Sequence, residues 1–243
     1  MSDLIALIDL AEDRHVHSTF SDGADTLECN LAAARLAGLH RLGCVDHVRR
    51  DSDYVGRYVQ AVRALSSDGV VLTAGLEAKI LDADGALDMP DTFSLADAVY
   101  IADHQMPTRD GPRSPRAIRD ELSAGRLLAA DAIELIVVAT ERALRRYAGT
   151  PLVIAHLFSI LPKIGVEEAA VPSAAIARLA TAAADVGALI EVSERWRCPS
   201  IDTVRVFHRH GVTIVASTDS HRAETIGCYD YVRWLAAACS GDA

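Results

Sequence analysis

The sequence predicts an α/β protein built on one parallel sheet, and three observations predict it. Short apolar segments alternate with helical patterns about seven times along the 243 residues. Those segments are continuously apolar rather than alternating, the pattern of strands buried on both faces. Six of the nine histidines, with several acids, fall at the ends of the segments, where parallel barrels carry their active sites. A closed α/β barrel fits these features, with an open doubly wound sheet as the alternative. Half the residues are hydrophobic, enough for a large core, and no linker, repeat or low-complexity stretch divides the chain, so one domain over 1–243 is expected.

The first strand covers 13–17 and carries His15 and His17. A helix follows over 26–37, with Asp25 or Thr26 as N-cap and Gly38 as its stop. A second strand over 41–46 runs into His47, and a helix covers 54–65. The third strand lies within 70–80 around Glu77, and the fourth covers 98–102, just before Asp103 and His104. The stretch 105–115, rich in Pro, Gly and Arg, reads as a functional loop. Helices are expected over 115–123 and 131–147. The fifth strand, 152–155, ends in His156. An alanine-rich helix over 173–186 is closed by Gly187, and the sixth strand covers 188–192. A helix over 201–210 is closed by Gly211, and the seventh strand, 213–217, leads into Thr218, Asp219, Ser220 and His221. A last helix is expected over 223–238.

Composition narrows the function. A net charge of −10 and the lack of a basic run exclude nucleic acid as an expected partner. No apolar run approaches the ~20 residues that span a bilayer, so no membrane association is expected. The first residues lack a positive region and include Asp3 and Asp9, unlike a signal peptide. The five cysteines (29, 44, 198, 228 and 239) form no C-x-x-C pair, which points to a reduced, cytoplasmic setting.

The strand ends carry the chemistry. His15 and His17 are one residue apart, so on a strand they face the same side and can grip one ion. His47, Glu77, His104, His156, Asp219 and His221 occupy equivalent ends, and Asp22 follows the first strand closely. Crowded imidazoles are costly to bury without a metal or other partners. The set is larger than the four to six bonds of one ion allow, which predicts two or three divalent ions with Glu77 as a bridge. Ligands of His, Asp and Glu without Cys suit Zn, Mn or Fe. The remaining histidines serve as controls. His208 and His210 stand at i and i+2 of a helical pattern and do not share a face, while His40 precedes a strand at the opposite end.

These motifs resemble the PHP (polymerase and histidinol phosphatase) family. The matching pieces are H-V-H-S-T-F-S-D-G at 15–23, V-D-H at 45–47, G-L-E-A at 75–78, A-D-H at 102–104, I-A-H at 154–156 and S-T-D-S-H at 217–221, in the family's order and across nearly the whole chain. The resemblance implies a distorted (β/α)7 barrel with a trinuclear metal cluster at the C-terminal end of the strands. It further implies one metal on His15, His17, Glu77 and Asp219, a second on Glu77, His104 and His156, and a third on His47 and His221 with Asp22. Some members have a histidine where Asp22 stands; an oxygen donor there favours Mn or Fe over Zn.

Such a cluster suits hydrolysis of a phosphate ester. Divalent ions can clamp phosphate oxygens and turn a bound water into a hydroxide nucleophile near neutral pH. Asp219 or His221 would orient that water or protonate the leaving oxygen. Resemblance favours Arg195 and then Arg222 as phosphate ligands. Arg49, Arg50, Arg109, Arg113, Arg197, Lys79 and Lys163 are further cations within the strand-end loops, and Glu191 and Glu194 could meet a polar substrate group. The expected partner is a small phosphorylated metabolite such as histidinol phosphate, a nucleotide or a sugar phosphate. The alternatives are a C–N hydrolase resembling the amidohydrolases, against which the Glu77 bridge counts because a lysine is common there, and a non-catalytic metal-binding protein. Oligomeric state is not legible.

Overall fold

A computed structural model describes residues 7–240; the reading of the N-terminus rests largely on residues outside the described ones. The chain runs through β1 (Glu12–Val16), α1 (Leu27–Leu36), β2 (Arg41–His47), α2 (Val55–Ala64), β3 (Val71–Lys79) and β4 (Ala98–Ala102). A short hairpin follows, β5 (Met106–Thr108) and β6 (Gly111–Arg113), then α3 (Pro115–Ser123), α4 (Ala129–Arg146) and β7 (Leu152–Ile154). The last part comprises α5 (Leu161–Ile164), α6 (Ser173–Val186), β8 (Leu189–Ser193), α7 (Ile201–Arg209), β9 (Ile214–Ser217) and α8 (Tyr231–Ser240). Local chemistry starts several helices. Thr26, Ser114 and Ser200 cap α1, α3 and α7 by accepting the amides of Cys29, Ala117 and Thr203.

Seven strands form one parallel sheet in the order β1-β2-β3-β4-β7-β8-β9. Its two edges meet just beyond the ends of β1 and β9. The His17 amide donates to the Ser220 carbonyl at 2.8 Å and the Ser220 amide to the His15 carbonyl at 3.3 Å, making a parallel Val16–Ser220 bridge. The sheet is therefore a nearly closed barrel with helices between its strands, and the open doubly wound alternative falls. Val45, Ala98, Tyr100, Ala102, Val153 and Ala155 form a small apolar cluster, and the large remaining core includes residues of both strands and helices, such as Leu76, Ile136, Leu179 and Phe207. No described helix is long and apolar enough to cross a membrane, and no described cysteine pair forms a disulfide.

Two expectations need correction. The stretch 105–115 holds a two-stranded antiparallel hairpin, with Met106 opposite Arg113. The last helix begins at Tyr231, not at 223, because the segment before it is tied to the barrel. Gly227 has φ +70, outside helical space, and its amide donates to Asp13 Oδ2 at 3.0 Å. The Tyr229 hydroxyl donates to the Glu12 carbonyl at 2.6 Å. Glu194 then accepts the amides of Tyr231 and Val232 at 3.1 and 3.0 Å, which satisfies the first donors of α8 and starts the helix there.

Candidate metal centre

Every ligand candidate read from the sequence lies at the C-terminal end of the barrel. His15 is on β1, with His17 just past its end; His47 closes β2, and Glu77 projects from β3. His104, His156, Asp219 and His221 sit two to four residues beyond β4, β7 and β9. His156 and Asp219 hold left-handed backbone, φ 29 and 53, uncommon for non-glycine residues and characteristic of functional sites.

Glu77, a buried carboxylate, is the hub. Its Oε1 lies 2.8 Å from His156 Nε2 and 3.0 Å from His104 Nε2. Its Oε2 lies 2.8 Å from His47 Nδ1, 3.4 Å from His15 Nε2 and 3.5 Å from His17 Nε2. Asp219 Oδ1 is 3.2 Å from His17 Nε2. On the outer side, Asp22 reaches His47 Nε2 at 3.4 Å, His221 Nε2 at 3.3 Å and His17 Nδ1 at 3.7 Å.

The donor atoms fall into three overlapping groups that could each hold an ion: His15, His17 and Glu77; His47, Glu77 and His104; and His17, Asp22, His47 and His221. His15 Nε2, both ring nitrogens of His17 and Glu77 Oε2 are buried without any hydrogen-bond partner. Such orphaned atoms are rare and expensive unless something else satisfies them. They converge on one space, and their chemistry is that of a divalent-metal site. The residues fit the metals that the motifs imply.

Charge within the cluster is redistributed accordingly. Burial depresses the pKa of His17 to about 4, keeping its imidazole neutral and able to ligate. Burial acts likewise on His15, but Glu191 and Glu77 outweigh it and raise its pKa well above the ordinary value. His156 is raised to about 10; Asp103 and Glu77 overcome the cost of burial. Glu77 is held well below the usual carboxylate range, because the surrounding imidazoles outweigh desolvation.

A second layer of buried acids, not singled out as supports from sequence, aims the ligands. Glu191 on β8 meets His15 Nδ1 at 2.9 Å and accepts the His156 amide at 2.7 Å, so it braces two ligands and does not face substrate. Asp103 accepts the Ser159 hydroxyl at 2.7 Å, and Ser159 Oγ lies 3.0 Å from His156 Nδ1. Asp46 accepts the amide and hydroxyl of Ser18, fixing the chain after His17. Asp13 accepts the Thr218 amide and hydroxyl at 2.9 and 2.6 Å, holding the segment that bears Asp219. Trp196 Nε1 donates to Asp219 Oδ2 at 2.6 Å. Asp46 and Asp103 immediately precede His47 and His104, and Glu191 is an acid within the otherwise apolar β8, signals that could have found them.

The cations divide. Arg195 reaches the cluster, its Nη1 2.7 Å from His221 Nδ1 and 3.3 Å from the Asp219 carbonyl. Lys163 lies over the Trp196 ring at 3.8 Å; burial lowers its pKa, and it makes no ion pair among the described residues. Arg222 stays on the exposed rim, 3.9 Å from Glu224. Arg113 is committed to Glu121 through two 2.8 Å bonds, and Arg197 packs over Tyr231. The control histidines stay outside the cluster: His40 pairs with Asp9 at 2.7 Å, and His210 Nδ1 contacts the Val206 carbonyl of α7.

Fold and site together define a parallel barrel with a His/carboxylate cluster that could hold metal at its C-terminal mouth. No family model matches the chain, and no curated protein matches it in sequence. Solved structures do match. Histidinol phosphate phosphatase from Lactococcus lactis, solved with zinc, L-histidinol and phosphate, superposes with a TM-score of 0.67 at 18% identity, covering 93% of this chain and 92% of that one. A Listeria monocytogenes protein assigned as a histidinol phosphatase gives 0.68 at 12% identity, covering 92% and 99%. A Thermus D-hydantoinase gives 0.43 at 13% identity, covering 85% and 57%, too remote a likeness to bear on function. The chain thus has the (β/α)7 barrel that its PHP-like motifs imply.

Proposed function

We propose that this protein is a metal-dependent phosphomonoesterase acting on a small phosphorylated metabolite. The carrying observation is the convergence of three ligand groups, with their orphaned buried nitrogens and carboxylate oxygen, beside two cations that have no carboxylate partner among the described residues. Support comes from the barrel shared with a histidinol phosphate phosphatase that holds zinc and phosphate.

In this reading His15, His17, Glu77 and Asp219 hold one divalent ion; Glu77, His104 and His156 hold a second; and Asp22, His47 and His221 hold a third. Zn, Mn and Fe all suit the donors. Bound ions supply Lewis acidity, drawing charge from phosphate oxygens and making water more acidic. The chain does the rest. Arg195 and Lys163 bind non-bridging phosphate oxygens from the β7–β8 side, and Arg222 guides the anion from the rim.

His221 has two neighbours that demand opposite tautomers. The Asp219 carbonyl, 3.1 Å from Nδ1, requires an N–H there, while Arg195 requires a lone pair. With the proton on Nδ1, Nε2 is free to ligate and Arg195 turns from the ring toward the anion. Asp219 is held ionised, since His17 and its neighbours outweigh burial and lower its pKa. As an ionised acceptor it orients water, and His221, with Nε2 on an ion and its Nδ1 proton on the Asp219 carbonyl, positions that carboxylate's segment and is not the proton source for the leaving oxygen.

The test is metal analysis of the purified protein with a screen of phosphomonoesters, phosphodiesters and cyclic amides. Release of phosphate from monoesters, abolished by chelator and restored by a divalent metal, is the expected result. Opening of an amide with no phosphate from any ester would overturn the proposal in favour of a C–N hydrolase.

A further inference from the structure

Two cavities flank the cluster, and their charges bear on the substrate's alcohol portion. One, of about 450 Å³, is bordered by Arg195, His221, Arg222 and Thr225. The other, also about 450 Å³, lies on the β2–β3 side and is bordered by Ser21, Arg49, Ser52, Tyr54 and Lys79. Whichever cavity takes the alcohol, the carboxylates lining it are already engaged. In the first, Glu194 is spent on the two amides that open α8, and Asp219 belongs to the cluster. In the second, Asp22 and Glu77 both belong to the cluster. The cations are less committed. Arg49 makes no ion pair among the described residues. Lys79 pairs at 3.3 Å with Asp88, but Asp88 is buried, accepts the Arg50 amide, and does not border the cavity, so the lysine presents the positive end of that pair.

We infer that the substrate's alcohol portion is neutral or anionic and carries no ammonium group. This rests on the phosphomonoesterase reading. An ammonium entering either cavity would shed water beside arginine or lysine with no uncommitted carboxylate to receive it. A carboxylate, a second phosphate or a set of hydroxyls on the alcohol would instead find Arg49, Lys79 and the hydroxyl of Ser52. A cationic amino alcohol of the histidinol kind is therefore disfavoured here, although the barrel is shared with a histidinol phosphate phosphatase.

Three esters of equal chain length test this: phosphoglycolate, 2-hydroxyethyl phosphate and O-phosphoethanolamine, whose alcohol portions are anionic, neutral and cationic. With the metal-loaded protein at low salt, kcat/KM should fall in that order, by about tenfold or more from first to last, and the spread should shrink as salt rises. Arg49→Glu should compress the ratio between the first and last ester. Calorimetry gives a readout without turnover: phosphonoacetate should bind more tightly than 2-aminoethylphosphonate. p-Nitrophenyl phosphate separates the two ways of failing. If it is hydrolysed but O-phosphoethanolamine equals or beats phosphoglycolate, the inference is overturned and the phosphatase stands. If no ester, p-nitrophenyl phosphate included, releases phosphate, the phosphatase reading falls and this inference falls with it.

Discussion

At the scale of single residues, one buried carboxylate, Glu77, lies beside five imidazoles and so joins groups that could each hold an ion. His17 belongs to two of the three ligand groups and has both ring nitrogens unsatisfied. Its replacement, His17→Ala, should lower phosphate release at least ~100-fold and reduce the bound metal per chain, whereas His208→Ala on the exposed face of α7 should change neither. Activity and metal content measured together check this; near-normal values for His17→Ala would contradict the ligand assignment. Glu191 braces His15 through its ring and His156 through its backbone. Glu191→Gln should therefore weaken metal binding ~10–100-fold while the barrel stays folded, measurable by competition with a chelator. Loading itself should release protons. Without metal, His15 and His156 have raised pKa values and carry protons at pH 7, and ligation needs neutral imidazole. Titrating metal into weakly buffered apoprotein should release about two protons from these rings; loading with no proton release would show that both are already neutral.

At the scale of elements, the loop after β1 packs tightly against the strand end it follows. A Cβ on Gly23 would lie 2.6 Å from the carbonyl carbon and oxygen of His17 and from the Ser18 amide. Gly23→Ala must push apart the strand end that carries His17 and the turn that carries Asp22. We expect a loss of ~1–3 kcal/mol in stability, together with loss of the ion shared by Asp22, His47 and His221. Thermal unfolding and metal stoichiometry would show it; a variant with full metal content would mean the loop yields without moving Asp22. The same scale explains what the sequence shows and hides. Most of the seven strands were legible because they are largely apolar and a histidine or acid stands at or just after their ends, whereas β1, Glu-Asp-Arg-His-Val, was legible from its paired histidines. The start of α8 was not: residues 223–230 have helix-compatible composition, but bonds from Gly227 and Tyr229 to β1 and the acceptance of two amides by Glu194 override it. Such pairings, between residues 37 to 217 apart, leave no local trace. The candidate ligands were legible by residue type and position, and the structure brings them together at one end of the barrel. Their bracing acids Asp13, Asp46 and Asp103 read as ordinary residues, and Glu191 as a possible substrate contact, until their distant partners came into contact.

At the scale of the whole molecule, the cluster and the barrel closure are one structure. The β1–β9 seam is fastened by Asp13 gripping Thr218 and Gly227, and the residues on either side of it, His15, His17, Asp219 and His221, offer candidate ligands from both edges. Ions bound across that seam should stabilise the fold, and their removal should leave a stability that depends on pH in a defined sense. In the apoprotein, His156 titrates near 10 against an ordinary 6.5, because Asp103 and Glu77 outweigh its burial, and His15 is displaced in the same direction. A basic group whose folded pKa is raised contributes stability that is complete below its unfolded pKa. That contribution is lost as pH climbs through the folded value, because the native state binds the proton that the unfolded state has already released. The metal-free protein should thus lose stability steadily from pH 6.5 to about 9, on the order of 1 kcal/mol per pH unit for each such group. The window ends there because thiols, with an ordinary pKa of 9.0, begin to ionise in the unfolded chain and add a loss unrelated to the cluster. In the loaded protein the same imidazoles have no proton to lose, so its stability should change far less over that range. Denaturant unfolding at pH 6.5 and 9, with and without metal, decides the matter. Parallel slopes for the two forms would mean that these histidines are not the groups the ions displace.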